Sequence, residues 1–399
     1  MTLKKLGIAS AILLAGAQTA YANDLQINGF LNVTAGVLDN KDIEGGFTTG
    51  GYDTTLGFDQ HTLAGLQISK KVNDNTSATV QLMSRGKQGY KTETAWAYVT
   101  YDLSDNTAIR FGRLRTPFFQ YSDFLEVGYA YNWISPPGIV YRVDSMSTLT
   151  GVDITHQFTT GAVDGSLQLY SGRYKDEFEL RGDTYDAELS SAAGAVLNLN
   201  AGNFGGRLSY HQAELSFHDL VPGTERNLDK VLGAAAALRA VPAIGAVDSF
   251  EASGQNSSFY QGSLFWDNGS TSLIAEYTAL RHDSHILNDD DAWLVSIAQR
   301  FGDVTAHLTY ATAKNKVKDG NVGIVQRFAE SEESDIIAGL RYDYSSSVAL
   351  KAEAHYITIN NAATRGDQMR LTGNPVAASE LDLDKNTGSL YTIGMSIVF

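Results

Sequence analysis

The chain has 399 residues and no cysteine, and it carries 30 Lys and Arg against 45 Asp and Glu, a formal net charge of −15. Disulfides, thiolate chemistry and cysteine-based zinc sites are therefore excluded, and the acidic balance argues against a nucleic-acid partner, which draws on basic surface. Beyond the N-terminal stretch no run of about 20 apolar residues occurs, which excludes membrane-spanning helices but not spanning strands, where only alternate residues meet lipid.

Lys4 and Lys5 precede an apolar stretch from Leu6 to Ala17, and Ala20-Tyr21-Ala22 supplies small residues at a cleavage site. This is the pattern of a secretory signal over residues 1–22, leaving 23–399 as the mature chain. Sixteen segments of about ten residues with alternating polarity follow: 24–36, 59–72, 76–85, 93–103, 107–115, 147–159, 163–172, 187–200, 204–215, 257–267, 270–282, 291–301, 304–314, 334–344, 347–358 and 389–399. In the first, Leu25, Ile27, Leu31, Val33 and Ala35 oppose Gln26, Asn28, Asn32 and Thr34. Such lengths suit tilted strands that cross a bilayer.

Connections alternate between short and long. Asn73-Asp74-Asn75, Asn268-Gly269 and Gly302-Asp303 are tight turns, whereas 37–58, 116–146 and 216–256 are long. An even strand count with this rhythm predicts antiparallel hairpins closed into an all-β transmembrane barrel, the short turns periplasmic and the long loops outside. All six prolines (117, 136, 137, 222, 242 and 375) fall in loops, as a closed ladder requires.

The fifth segment reads Ile109-Arg110-Phe111-Gly112-Arg113-Leu114-Arg115. If Ile109 and Phe111 face lipid, Arg110 faces the lumen. Strict alternation would then turn Arg113 to lipid, at about 2–4 kcal/mol near the midplane. A bulge at Gly112 is expected to return it to the lumen. The loop after it, 116–146, holds Phe118, Phe119, Tyr121, Phe124, Tyr129, Tyr131, Trp133 and Tyr141. So many aromatics in water would form a sticky patch; folded against an inner wall they gain partners. Ser122 is read as capping a short helical turn that Gly128 ends.

Later features are weaker. Leu228, Val231, Leu232, Ala235 and Leu238 have helical spacing within a long loop. Asp289-Asp290-Asp291 lacks calcium-loop spacing and reads as a solvated acidic loop. The histidines show no ligand spacing, and neither a nucleophile elbow nor a phosphate loop occurs, so no metal, cofactor or enzymatic activity is expected. The final segment alternates Tyr391, Ile393, Met395, Ile397 and ends on Phe399, as a terminal assembly signal of a barrel would.

Signal, sixteen strands, one long loop after the fifth strand and the final Phe together resemble the Gram-negative trimeric porins over the whole mature chain. That resemblance implies an outer-membrane homotrimer passing small hydrophilic solutes and ions, in contact with outer-membrane lipid and lipopolysaccharide. It also implies that the third loop folds inward and narrows the pore, its acids facing a basic wall. The acids are Asp123, Glu126 and Asp144. The bases are Arg110, Arg113, Arg115 and Arg142, with Arg85 and Lys70 on neighbouring strands. Carboxylates opposite guanidiniums would orient charged solutes in a transverse field; the same residues could instead be ion pairs pinning the loop to the wall. General diffusion leads as the function. A channel selective for sugars, anions or small organic acids, and a structural or adhesive barrel with a closed lumen, are the alternatives.

Overall fold

The computed structural model describes residues 25–143, 146–180, 183–218, 254–283, 288–316, 331–361 and 384–399. The expected signal segment and the helical spacing at 228–238 lie outside them. Among the described residues there are sixteen strands: β1 (Leu25–Leu38), β2 (Leu63–Asn73), β3 (Thr76–Arg85), β4 (Thr92–Ser104), β5 (Thr107–Arg115), β6 (Thr148–Thr160), β7 (Val163–Leu180), β8 (Asp183–Ala201), β9 (Phe204–His218), β10 (Gln255–Asp267), β11 (Thr271–His282), β12 (Asp289–Phe301), β13 (Val304–Lys316), β14 (Ser331–Ser345), β15 (Val348–Asn361) and β16 (Asp384–Val398). Each pairs antiparallel with its sequence neighbours, and β1 pairs with β16, so the sheet closes on itself. Closure satisfies every ladder amide within the wall, which lipid cannot do.

The period-2 pattern sets which face meets lipid. In β12, Trp293, Val295 and Ile297 are 40–49% exposed, whereas Leu294, Ser296 and Ala298 between them are 0–5% exposed. The greasy row is thus outside, and the small or polar row is covered from within. Outward aromatics pair across strands, Tyr210 with Tyr260 and Trp293 with Tyr310, as in interfacial girdles. The seam is closed at its end by Phe399, whose backbone exchanges hydrogen bonds with Gly29 (2.7 and 2.9 Å).

Two expectations change. The stretch 173–186, read as a loop, is largely strand: β7 and β8 stay paired from Tyr174↔Leu189 to Leu180↔Asp183. The bulge expected at Gly112 is absent, since its register is unbroken toward both Tyr98 and Gly151.

The hydrophobic core lies inside the barrel and is built by loops. The third loop contributes Phe118, Phe119, Leu125, Tyr131, Trp133, Ile139, Val140 and Tyr141, packed on Phe259, Ile274, Leu294 and Ala311 of β10 to β13. The first loop also turns in: Ile43 and Tyr52 pack with Leu38, Ile357, Ile359 and Leu390, and the Tyr52 hydroxyl donates to Thr34 Oγ1 at 3.2 Å.

Candidate functional site

The third loop leaves β5 and returns to β6 across a bond from Thr116 N–H to Ser147 O (2.6 Å). Pro117 starts it and Pro136-Pro137 stiffens its return, so its path needs few ladder bonds. Between them lie two 3-10 turns, Ser122–Phe124 and Gly128–Ala130. Ser122 does not cap in the expected sense. It sits inside the first turn, and its Oγ accepts the Phe119 N–H at 2.8 Å. Gly128 opens the second turn rather than ending the first. A side chain there would put a Cβ 2.5 Å from Asn32 Oδ1 and 2.6 Å from Ser396 Oγ, so the loop backbone lies directly on the wall.

Inward polar residues of the far wall hold this backbone. Glu276 of β11 accepts from Gln120 N–H (2.8 Å) and from the Tyr141 hydroxyl (2.6 Å). Trp133 Nε1 donates to Thr309 Oγ1 (2.8 Å) and Ile134 N–H to Glu353 Oε1 (2.9 Å). Lys351 donates to the carbonyls of Gly128 (2.5 Å), Tyr131 (2.8 Å) and Trp133, and Arg341 to those of Tyr129 (2.7 Å) and Tyr131 (2.8 Å). On the near side Arg207 donates to Pro117 O. Burial pushes the phenols of Tyr121 and Tyr141 up, so both stay protonated, Tyr141 as the donor to Glu276.

Four of the nine expected constriction charges, Arg85, Arg115, Glu126 and Arg142, are spent on pinning the loop. Glu126 lies between Arg115 (2.7 and 2.9 Å) and Arg85 (2.9 Å), and Arg85 also pairs with Glu93. Burial raises the Glu126 carboxyl, but Arg115 and Arg85 outweigh this and hold it at about 2. Arg142 pairs with Asp290 (3.1 Å) and Asn315 (3.3 Å) under the Phe47 ring. Arg113 shares a row with Ala97 and Thr150 and pairs with Asp176 of β7 at 3.1 Å, away from the loop. Lys70 falls in the row of Leu25, on the outward face with Leu66 and Ile68 near the tight-turn rim, and takes no part in a constriction. Asp144 lies outside the described residues.

What remains open is a cavity of about 2060 Å³ between the third loop and the rim of tight turns. Its floor at the loop is Tyr121, Asp123 and Phe124; the wall opposite carries Arg110, Asp153 and Gln168. Asp123 is exposed and has no ion pair or hydrogen bond among the described residues. It lies within electrostatic reach of Arg110 and Arg207. Arg110 is forked onto Asp153 (2.6–3.1 Å) and lies over the Tyr98 ring. The cavity lining counts nine Asp and four Arg. All four Arg are engaged: Arg110 as above, Arg207 by the loop, and Arg300 and Arg341 by Asp343. The open space is therefore acidic. Of the expected aromatic lining, Tyr121, Tyr129, Tyr131 and Trp133 border it, whereas Phe118 and Phe119 are 8% and 1% exposed and belong to the internal core.

Sequence reasoning missed Asp153, Glu276, Arg341, Lys351 and Glu353. The available signal was a charge at every second position of a spanning strand, as in Lys351-Ala352-Glu353-Ala354-His355. Inward charges at that spacing need partners inside the barrel. The acidic run is not solvated: Asp289 accepts His282 N–H (2.9 Å), Asp290 pairs with Arg142, and Asp291 with Arg281 (2.5 Å). Among the described residues no cluster suited to a metal ion occurs.

Comparison with known proteins agrees with this architecture. Residues 9–364 match the family profile described as Gram-negative porin. No curated protein matches the chain. Among solved structures, OmpT of Vibrio cholerae in its trimer form is 12% identical, with 94% of this chain and 99% of that chain covered at a TM-score of 0.54. The anion-selective porin from Comamonas acidovorans is 12% identical, covering 94% and 99% at 0.55. The outer membrane channel DcaP of Acinetobacter baumannii is 11% identical, covering 97% and 100% at 0.58. At such identities the likeness is one of fold.

Proposed function

The chain belongs to the Gram-negative porin family and forms an outer-membrane channel for passive diffusion, and from that premise we propose that its passage prefers cations and serves small hydrophilic solutes without chemical transformation. The observation that carries this reading is the contrast, among the described residues, between Asp123, exposed and unpaired at the loop, and the four arginines that line the cavity, each engaged by a carboxylate or a carbonyl. Fixed acidic charge along a narrow aqueous path raises the local concentration of cations and lowers that of anions. The narrowest place is read as the gap between Tyr121, Asp123 and Phe124 and the Arg110–Asp153 pair, not between the loop and the Arg85–Arg115 group. Planar-bilayer recording tests it: under a KCl gradient the zero-current potential should carry the sign of K⁺ preference, and a Cl⁻ preference would refute it.

A second reading, a channel with a preferred solute, is favoured by one feature. Tyr121, Phe124, Tyr131 and Trp133 border the same cavity as Asp123, so a flat solute could stack as it passes. Saturable block of the ion current by one solute would distinguish it from general diffusion. Assembly as a homotrimer, cleavage after Ala22 and contact of the outward rim at Arg281 and Lys314 with lipopolysaccharide complete the proposal; currents stepping in threes would support the trimer.

A further inference from the structure

Inside the barrel, aromatic rings repeatedly meet protein cations. The Arg110 guanidinium lies 5.5 Å from the Tyr98 ring centroid, Arg142 5.5 Å from Phe47, Arg341 4.8 Å from Tyr129 and Lys351 4.9 Å from Tyr131. This attraction grows as both partners leave water. Tyr121 and Phe124 differ: both are half-buried, both border the open cavity, and among the described residues no cation lies over either ring. The turn between them sets their placement. Ser122–Phe124 is a 3-10 turn, in which residues three apart eclipse. The two rings therefore meet edge to face, centroids 5.4 Å apart and planes at 75°. Tyr121 also crosses Trp133 (5.7 Å, 81°) and stacks one face on Tyr141 (6.5 Å, 26°). Asp123 stands between the two rings in the chain and borders the same cavity, exposed and unpaired among the described residues. Arg110 and Arg207, the cations within its electrostatic reach, are held on Asp153 and on the Pro117 carbonyl. Asp267, on the same cavity, lies within electrostatic reach of Tyr121. A carboxylate beside two crossed rings thus borders the passage with no protein cation seated on it.

We propose that Tyr121, Asp123 and Phe124 form a retentive site for small organic cations, alkylated ammonium ions above all, which bind there as they cross. The proposal deepens the preferred-solute reading and rests on it. Asp123 supplies the fixed charge that draws a cation in. The rings supply faces that an alkylated ammonium reaches at small cost, because its methyl groups hold water weakly, whereas K⁺ must shed a tightly held shell. An inorganic cation therefore gains from Asp123 alone, and a neutral aromatic solute from the rings alone. The organic cation gains from both. Anions gain from neither, and they meet a cavity lined by nine Asp.

The test uses the full-length channel in a planar bilayer in KCl at neutral pH. Benzyltrimethylammonium is the probe, with benzamide and benzenesulfonate as its neutral and anionic counterparts. Benzyltrimethylammonium should reduce the K⁺ current saturably, and the two counterparts should not. Phe124→Leu keeps apolar volume and removes the ring; it should raise the half-blocking concentration about three- to tenfold. Asp123→Asn should raise it about fourfold, each variant being referred to its own open-channel current. Absence of block up to the concentration of the KCl itself would overturn the site, as would a half-blocking concentration unchanged in both variants. Equal block by benzamide would also overturn it, while leaving the preferred-solute reading in place with a neutral solute. If Phe124→Leu does not fold, Asp123→Asn and the three wild-type titrations decide alone. The zero-current potential under a KCl gradient reports the cation preference separately, so one can fail while the other stands.

Discussion

The carboxylate of Glu126 closes on the guanidinium of Arg115 at 2.7 and 2.9 Å, joining the middle of the third loop to its own root. This pair, with Arg85 as third member, holds the loop in place and does not face the passage. Removing one partner of a buried ion pair leaves the other uncompensated, at a cost of about 3–5 kcal/mol. Glu126→Gln is therefore expected to loosen the loop and make single-channel current noisier, while the zero-current potential changes little. A clean shift in ion selectivity without added noise would return Glu126 to the passage wall.

The same pair predicts an acid dependence of its own. The Glu126 carboxyl is held at about 2 in the folded loop, below the ordinary value of roughly 4.3. Its contribution is complete above about pH 4.3 and is lost as pH falls through 2. Trp133, anchored to Thr309 within the loop, is the reporter. Its fluorescence should redden over that acid range, with the other tryptophans replaced by Phe, and Glu126→Gln should show no such transition there.

The sequence carried the barrel in full outline because a spanning strand declares itself twice, by alternation and by length. Sixteen segments were legible and sixteen strands occur among the described residues. Boundaries slipped where pairing continues beyond the alternating stretch, as where β7 and β8 run on to Leu180 and Asp183. The inward turn of the third loop was legible from its aromatics. The roles of its charges were not, because Arg85, Arg115 and Glu126 become a buried triad only when β3 and the loop are brought together, 41 residues apart in sequence for Arg85 and Glu126. Glu276, Lys351 and Glu353 were overlooked because only charges on the third loop and its neighbouring strands were weighed, whereas these reach the loop backbone from β11 and β15 across the barrel.

Lys351 offers three donors to three carbonyls of the loop tip and lies 4.9 Å from the Tyr131 ring centroid. Lys351→Met keeps the aliphatic stem and removes all of these contacts. Each buried carbonyl left unpaired costs about 1–3 kcal/mol, enough to fray the tip without breaking the β15 ladder, whose bonds are backbone. The barrel should still migrate as a folded species on unheated gels. Its open-channel noise should rise, and the size of the largest neutral solute that enters should change.

Asp123 stands alone at the loop surface, so its charge should set ion preference with little effect on stability. A unit charge about 5 Å from a permeating ion in aqueous surroundings is worth about 0.8 kcal/mol, or about fourfold in partitioning. Asp123→Asn should lower the K⁺/Cl⁻ permeability ratio by about two- to fourfold, and Asp123→Arg should lower it further. Permeability ratios equal to wild type in both variants would move the selectivity site elsewhere in the cavity.

Gly29 and Phe399 meet across the seam that makes the sheet a cylinder. Their backbones exchange hydrogen bonds, and the Phe399 ring lies against the glycine, where a Cβ would come within 2.3 Å of Cε2 and Cζ. The ring thus covers the one outward position of β1 that has no side chain, and an aromatic over a strand glycine stabilises local pairing. Gly29→Val would push the ring off without touching any loop or lumenal charge. Because β1 can pair with β16 only after all intervening strands are in place, the defect should appear in closure. We expect a smaller heat-modifiable folded fraction after refolding into detergent micelles, with normal conductance and selectivity in those channels that do close. Wild-type folding yield in Gly29→Val would show that the terminal ring contributes nothing to sealing the barrel.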